Sequence, residues 1–231
     1  MKLLAFETAT EACSVALYID GEIHERFEIA PKQHIQLALP WAEQLLADAG
    51  IRKTQLDAIA VGIGPGAFTG VRLAVALVQG IALALDKPVL PVSTLAALAM
   101  QGADLKTERI LAAIDARMGE IYCAEFRLNA DQLVDATSEE IVIAPEAYPS
   151  SGLDGSLVGV GTGFSANSNA LQNNLKSQLI ACRADALPHA GDILKLALRD
   201  YALGKLIAPD NLEPAYLRNK VALTLKEQGK S

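Results

Sequence analysis

The order of elements in this chain repeats, and that repetition limits the folds open to it. The chain begins with Leu3-Leu4-Ala5-Phe6, an apolar strand with Glu7 at its tip, then a turn and a second strand over Cys13–Ile19. In the second half Ile110-Leu111-Ala112-Ala113-Ile114 ends in Asp115, and Ala116-Arg117-Met118-Gly119 turns into a strand over Glu120–Arg127. Each half therefore opens with an apolar strand, an acid at its end and a hairpin. Letter identity between the halves is low, but the shared order reads as a duplication. At about 100–200 residues per domain, the length allows one large unit or two small ones.

The rest of each half alternates strands with helices, the pattern of a sheet with helices packed on it. Asp20-Gly21 joins Cys13–Ile19 to Glu22–Ile29 as a hairpin, and Pro31 ends the third strand. From His34 to Ala49 the period is helical, with Ile35, Leu39, Ala42, Leu46 and Ala49 on one face and Gly50 as the stop. Pro40 should kink this helix or delay its start. Leu56–Ile63 is a continuous apolar strand that enters Gly64-Pro65-Gly66-Ala67-Phe68-Thr69-Gly70, followed by a helix to Leu85 and a strand over Val89–Val92. Ser93 is placed to cap a helix over Thr94–Met100, and the polar stretch Gly102–Glu108 reads as a linker. The second half continues through a loop-rich stretch to Ser156, a strand over Leu157–Val160, a helix from Ser165 and a strand over Gln178–Cys182. A last helix over Ala190–Leu203 is stopped by Gly204, and the polar tail from Lys226 is expected to fray.

Composition excludes several classes of function. Twenty Lys and Arg stand against 27 Asp and Glu, a formal charge of -7. A surface that grips nucleic acid through charge alone is not expected from such a balance. The three cysteines, Cys13, Cys123 and Cys182, are far apart and sit in or beside apolar runs, as reduced core thiols of a cytosolic protein do. Leu3–Phe6 is too short for the apolar region of a signal peptide. Val71–Leu85 contains Arg72, Gln79 and Gly80 and falls short of the ~20 apolar residues of a membrane span. A soluble, cytoplasmic protein without a membrane partner is the expectation.

The glycine-rich turns admit two readings. Gly64–Gly70 follows a strand and opens a helix, where backbone N–H groups and the helix dipole suit an anion. It lacks the Lys of a P-loop and the third glycine of a dinucleotide fingerprint, so a tight strand-to-helix turn is the leading reading and a phosphate or carboxylate contact the alternative. Gly159-Val160-Gly161-Thr162-Gly163 repeats the theme, as a close approach for a ligand or simply as a turn. Glu7 and Asp115 occupy equivalent strand ends. Across a cleft they would hold Mg²⁺ or act as a base; otherwise each accepts turn N–H groups. Arg117 is placed to neutralise Asp115 or to meet an anion. His24, His34 and His189 show no HxxxH or HExxH spacing, so no metal site is expected from them.

The helix over Gly70–Leu85 is apolar around its whole circumference apart from Arg72 and Gln79, a pattern that asks for cover on all sides. Ala76, Gly80 and Ala84 recur every four residues, a stripe that lets a neighbouring helix come close. The preceding helix carries Leu37, Trp41 and Leu45 off its main apolar face. Either the two helices cover each other, or both meet another subunit with Trp41 as an anchor.

Several strings taken together carry a family resemblance: Glu7-Thr8-Ala9-Thr10-Glu11-Ala12-Cys13-Ser14, the Gly64–Gly70 loop, Ala116-Arg117-Met118-Gly119-Glu120-Ile121-Tyr122, Val160-Gly161-Thr162-Gly163 and Pro214-Ala215-Tyr216-Leu217-Arg218. The set resembles the TsaB family, the bacterial partner proteins in tRNA threonylcarbamoyladenosine synthesis, over nearly the whole chain. The resemblance implies an actin-like, Hsp70-like and sugar-kinase-like (ASKHA) α/β fold with two related lobes around a cleft, 1–104 and 105–231, the C-terminal segment packing back on the first. It implies a non-catalytic subunit that binds the catalytic subunit TsaD, with the ATPase TsaE joining. TsaD then moves the threonylcarbamoyl group, from an adenylate made by TsaC-type enzymes, to N6 of adenosine 37 in tRNAs reading codons that begin with adenine. A homodimer through similar surfaces, tRNA contact mainly through the complex, and ATP, ADP and metal belonging to the complex rather than to this chain are further implications. The partner-facing candidates are Leu37, Trp41, Leu45, Val71, Arg72, Val75 and Gln79. The cleft or nucleotide-facing candidates are Glu7, Thr8, Gly64, Gly66, Thr69, Asp115, Arg117, Gly161, Thr162 and Gly163. Family members usually carry Asp at position 7 and Ser at position 67, so Glu7 and Ala67 weaken any case for intact nucleotide chemistry. An autonomous ATP- and Mg-dependent phosphotransferase of the same fold, or a metallopeptidase-like protein, is the competing reading.

Overall fold

The computed structural model describes residues 1–105, 107, 109–149 and 156–218. Its strands are β1 (Leu3–Glu7), β2 (Ala12–Ile19), β3 (Glu22–Ile29), β4 (Ala58–Gly62), β5 (Val89–Val92), β6 (Ile110–Arg117), β7 (Glu120–Leu128), β8 (Val134–Ala136), β9 (Ile141–Ile143), β10 (Leu157–Val160) and β11 (Leu179–Arg183). Its α-helices are α1 (His34–Asp48), α2 (Phe68–Leu85), α3 (Thr94–Met100), α4 (Ala166–Asn174) and α5 (Ala190–Ala202). The polar tail from Lys226 lies outside the described residues.

The two sheets have one plan. In the first, the order is β3-β2-β1-β4-β5, with β1 to β3 antiparallel and β1, β4 and β5 parallel. In the second, β8-β7-β6-β10-β11 repeats that order and those directions, and β9 adds a further pairing to β7. The central strands β1, β4 and β10 are buried along their whole length, which is why they read as unbroken apolar runs. The edge strand β3 is mostly exposed and carries the charges that suit an open edge.

The helices build layers around the sheets. α1 lies over β2 and α2 over β4, and their inner faces share one apolar cluster with Phe6, Val15 and Val61. The opposite face of the first sheet is covered by α5, and α3 lies on the second sheet against β6 and β8. These two helices form the middle layer, and the largest core cluster runs from Leu3 and Ala60 through Leu95 and Ile193 to Ile110 and Val158. The outer face of the second sheet packs Leu111 and Cys123 against Phe164 and Leu171.

Local chemistry explains most element ends. Asp20 and Gly21 both have positive φ, as a two-residue hairpin turn requires. The Ser93 side chain accepts the Ala96 N–H at 3.1 Å and caps α3. α1 starts at His34 with Pro40 inside it, so of the two expected effects of the proline the delayed start does not occur. Pro40 and Gln36 both face solvent, so water can reach the carbonyl that the missing N–H leaves free. The loop-rich stretch before Ser156 contains β8 and β9, each only three residues long.

Candidate functional site: an interlobe cleft and an open helical face

The tip of β1 is held tightly. Glu7 is 1% exposed. Its carboxylate accepts the Ala9 N–H at 2.6 Å and the Thr94 hydroxyl at 2.9 Å. The Thr94 hydroxyl oxygen in turn accepts the Gly64 N–H at 3.1 Å. A Cβ at Gly62 would lie 1.8 Å from Glu7 Oε2, so glycine is needed for the carboxylate to lie over β4. Burial pushes the Glu7 carboxyl up to about 7, and the hydrogen bonds from Ala9, Thr94 and Thr8 only partly oppose it. Glu7 is therefore a buried link between β1, the glycine loop and α3, which corrects its placement on the cleft wall.

The glycines of the loop answer to neighbouring backbone. A Cβ at Gly66 would meet the Ala9 carbonyl at 2.3 Å, and one at Gly70 the Thr8 carbonyl at 2.0 Å. The Ala67 N–H donates to the Ala9 carbonyl at 2.7 Å, and the Thr8 hydroxyl to the Gly70 carbonyl at 2.8 Å. The second lobe solves the same problem in the same way. Cβ atoms at Gly161 and Gly163 would crowd Ala113 of β6 at 2.3 and 2.7 Å. The tight-turn reading accounts for both loops.

A cleft of about 750 Å³ opens between the lobes. Gly66, Thr69, Asp115, Arg117 and Thr162 line it, whereas Thr8, Gly64, Gly161 and Gly163, like Glu7, do not. The last four serve the backbone contacts just described or face Val71 and Leu98 instead. Asp115 accepts the Arg117 N–H and its guanidinium, both at 2.8 Å, and its own N–H donates to the Thr162 hydroxyl at 3.1 Å. The Glu7–Asp115 pair does not fit a Mg²⁺ site: one carboxylate is buried on Ala9 and Thr94, the other is paired with Arg117. Among the described residues, no group of three or more His, Cys, Asp or Glu is arranged to hold a metal.

The outer face of the first lobe differs from the expectation by a rotation of α1. Its buried stripe is Ala38, Ala42, Leu45 and Leu46, while Ile35 and Leu39 are 66% and 45% exposed. Pro40 is the signal for this, since a proline in mid-helix is best kept on the solvent side. Leu45 and Val75 are buried in the cluster over the first sheet, and Val71 is buried beside Gly64 at the cleft, so none of the three is partner-facing. Leu37 and Trp41 are half-buried against that cluster. Arg72 and Gln79 reach the surface, but the C-terminal arm engages both. The Gln79 amide donates to the Pro209 carbonyl at 3.0 Å, and Arg72 Nε donates to the Tyr216 hydroxyl at 2.6 Å.

α2 remains uncovered over much of its length. It is the one described helix long and apolar enough to cross a membrane, yet it packs on β4 as a helix of a folded lobe, and only 33% of it is buried. Ala76, Gly80, Leu83 and Ala84 are exposed, with Leu83 at 52%, and a Cβ at Gly80 would meet nothing within 4 Å. α1 packs mainly on β2 and α2 on β4, and their inner faces meet in one apolar cluster while the outward side of α2 stays open.

The repeated sheet order, the crossed middle layer and the cleft between them define a two-lobed α/β protein of the actin-like, Hsp70-like and sugar-kinase-like class. The family model described as "TsaD: tRNA N6-adenosine threonylcarbamoyltransferase" matches residues 19–224. The tRNA threonylcarbamoyladenosine biosynthesis protein TsaB of Escherichia coli (strain K12) is 42% identical, over 96% of this chain and 96% of its own. Its Haemophilus influenzae counterpart is 39% identical, over 96% and 95%. The solved structure of YeaZ from Pseudomonas aeruginosa is 40% identical and aligns with a TM-score of 0.86, covering 94% of this chain and 99% of that one. This chain belongs to that family, among the TsaB proteins of tRNA threonylcarbamoyladenosine biosynthesis.

Proposed function

We propose that this chain is the non-catalytic assembly subunit of the tRNA-modifying complex, and that it works by docking TsaD on the outer face of its first lobe. The supporting observation is α2, an 18-residue apolar helix of which only 33% is buried. Its small outward residues allow a second helix to approach to about 8–10 Å between axes, where the exposed Leu83 would be taken from water. This docked face moves the contact residues from Leu45, Val71 and Val75 to Ala76, Gly80, Leu83 and Ala84. TsaE joins the assembled pair. Transfer of the threonylcarbamoyl group, made available by a TsaC-type enzyme, to N6 of adenosine 37 takes place on TsaD. ATP, ADP and metal are assigned to the complex and tRNA contact mainly to the partners. A second copy of this chain can use the same face to form a homodimer, and the protein is expected to work in the cytoplasm.

Mixing with TsaD, scored by co-elution and by restored modification of tRNA, tests the proposal. Gly80→Arg and Leu83→Glu alter open positions, so each should stay folded while co-elution and modification are lost. A folded double variant that still co-elutes and supports modification rejects it.

A further inference from the structure

One wall of the cleft belongs to neither sheet. After α5 the chain pairs with the edge of β5 through Ile207 and Val89, at 2.9 and 3.0 Å in the two directions. Pro209 then meets Gln79, and Leu212 is buried in the cluster beneath α2. The arm thus runs along α2 toward its N-terminus. At the end of β4 the Ala215 N–H donates to the Ile63 carbonyl at 2.8 Å. Tyr216 bonds Arg72 and stacks on Phe68, with the ring centroids 5.8 Å apart. Arg72 itself lies 3.6 Å above the Phe68 ring. Two residues on, Arg218 crosses to the other lobe. Its guanidinium donates to the Ala116 carbonyl at 3.1 Å and the Arg117 carbonyl at 3.4 Å, and forms an ion pair with Glu120.

We propose that Ala215–Arg218 is a clasp that ties the glycine-loop end of the first lobe to the β6–β7 hairpin of the second and so sets the width of the cleft. Its geometry suits a fastening that can come undone. Among the described residues, the hydrogen bonds and the ion pair from the arm to the second lobe are all made by Arg218, whose planar fork of donors meets two turn carbonyls and a carboxylate. The lobes share the α3–α5 layer deep in the molecule. The clasp lies at the cleft, where a tie resists opening about that layer. Release of Arg218 frees the hairpin from the arm without breaking either sheet.

The test is a distance measurement by pulsed electron spin resonance on the full chain. Labels are carried by Lys32→Cys and Ser165→Cys, which line the cleft from opposite lobes, in a Cys182→Ser background that removes the half-buried thiol. The expected result is one narrow distance in the parent and a longer, broader distribution in Arg218→Ala. Arg127→Ala, an exposed arginine of β7 away from the cleft lining, should keep the parent distribution. An unchanged distribution in a folded Arg218→Ala, or equal broadening in Arg127→Ala, overturns the proposal. Should Arg218→Ala not fold, the same readout on Glu120→Gln decides it: broadening supports the clasp and the parent distribution overturns it.

Discussion

The carboxylate of Glu25 in β3 accepts the backbone N–H of Gly191 in the first turn of α5 at 3.0 Å, 166 residues further along the chain. The same carboxylate accepts the Ser14 hydroxyl at 2.6 Å and meets His189 Nδ1 at 3.2 Å, and the Ala190 N–H donates to Ser14. A negative charge at a helix N-terminus is favourable, and here it also locks the middle layer to the first sheet.

This lock should depend on pH. Burial lowers the His189 pKa, but its hydrogen bond and charge interaction with Glu25 outweigh that and hold it above the ordinary value. For Glu25, burial acts upward and is outweighed by His189, Ser14 and Gly191, so its pKa is lowered. His189 therefore contributes stability that is complete below about pH 6.5 and is lost as pH rises through its folded pKa. Glu25 contributes stability that is complete above about pH 4.5 and is lost as pH falls through its folded pKa. Urea midpoints measured against pH should show a fall on the alkaline side that His189→Ala removes. An identical alkaline slope in the variant contradicts the assignment.

Glu7 should act in the opposite sense to an ordinary ion-paired acid. Its carboxyl is at about 7 in the folded chain against an ordinary 4.5, so between those values the folded state holds the proton more often. Stability therefore falls as pH rises through this window and levels off above it, by roughly 3 kcal/mol in total. Glu7→Gln should flatten the slope between pH 5 and pH 7 in chemical denaturation, with the parent slope retained in Glu11→Gln as the control.

Two glycines of α2 should respond to alanine in opposite directions. At Gly70 the added methyl meets the Thr8 carbonyl at 2.0 Å, whereas at Gly80 it meets nothing within 4 Å. Gly70→Ala is expected to cost about 2–3 kcal/mol or more, since backbone must move. Gly80→Ala is expected to stabilise by about 0.5–1 kcal/mol through helix propensity. Melting temperatures of the two variants give the signs directly.

Val75 and Leu83 separate folding from docking. Val75→Asp places a charge in the cluster over the first sheet and should cost several kcal/mol, roughly 3 or more, so its failure to bind a partner would report unfolding. Leu83→Glu lies on the open side and should change stability by no more than about 0.5 kcal/mol. Equal melting temperatures for the two variants would refute this division.

The sequence made the strands and their order legible where the signals are local. Asp20-Gly21 announces its hairpin, and Glu22–Ile29, Val89–Val92, Thr94–Met100 and Leu157–Val160 have the same bounds in the structure as in the pattern. What escaped depends on distant partners. β8 and β9 are too short to show a period, and they exist because β7 offers an edge to each. The turn at Asn167, Ser168 and Asn169 enters the left-handed region three times within α4, with no glycine to announce it. Glu7 reads as an acid at a strand tip, but its direction is set by the space above Gly62 and by Thr94. The arm from Ile207 to Arg218 has no periodicity, because its order comes from α2 and the opposite lobe.

The crossed helices have a consequence for synthesis. α3 lies on the sheet that follows it, and the inner face of the first sheet is covered by α5. A ribosome delivers β1 to β5 long before Ala190–Ala202 has emerged. One face of the nascent first sheet must therefore wait, bare, until α5 has been made, and this interval is where a holding chaperone would find the chain.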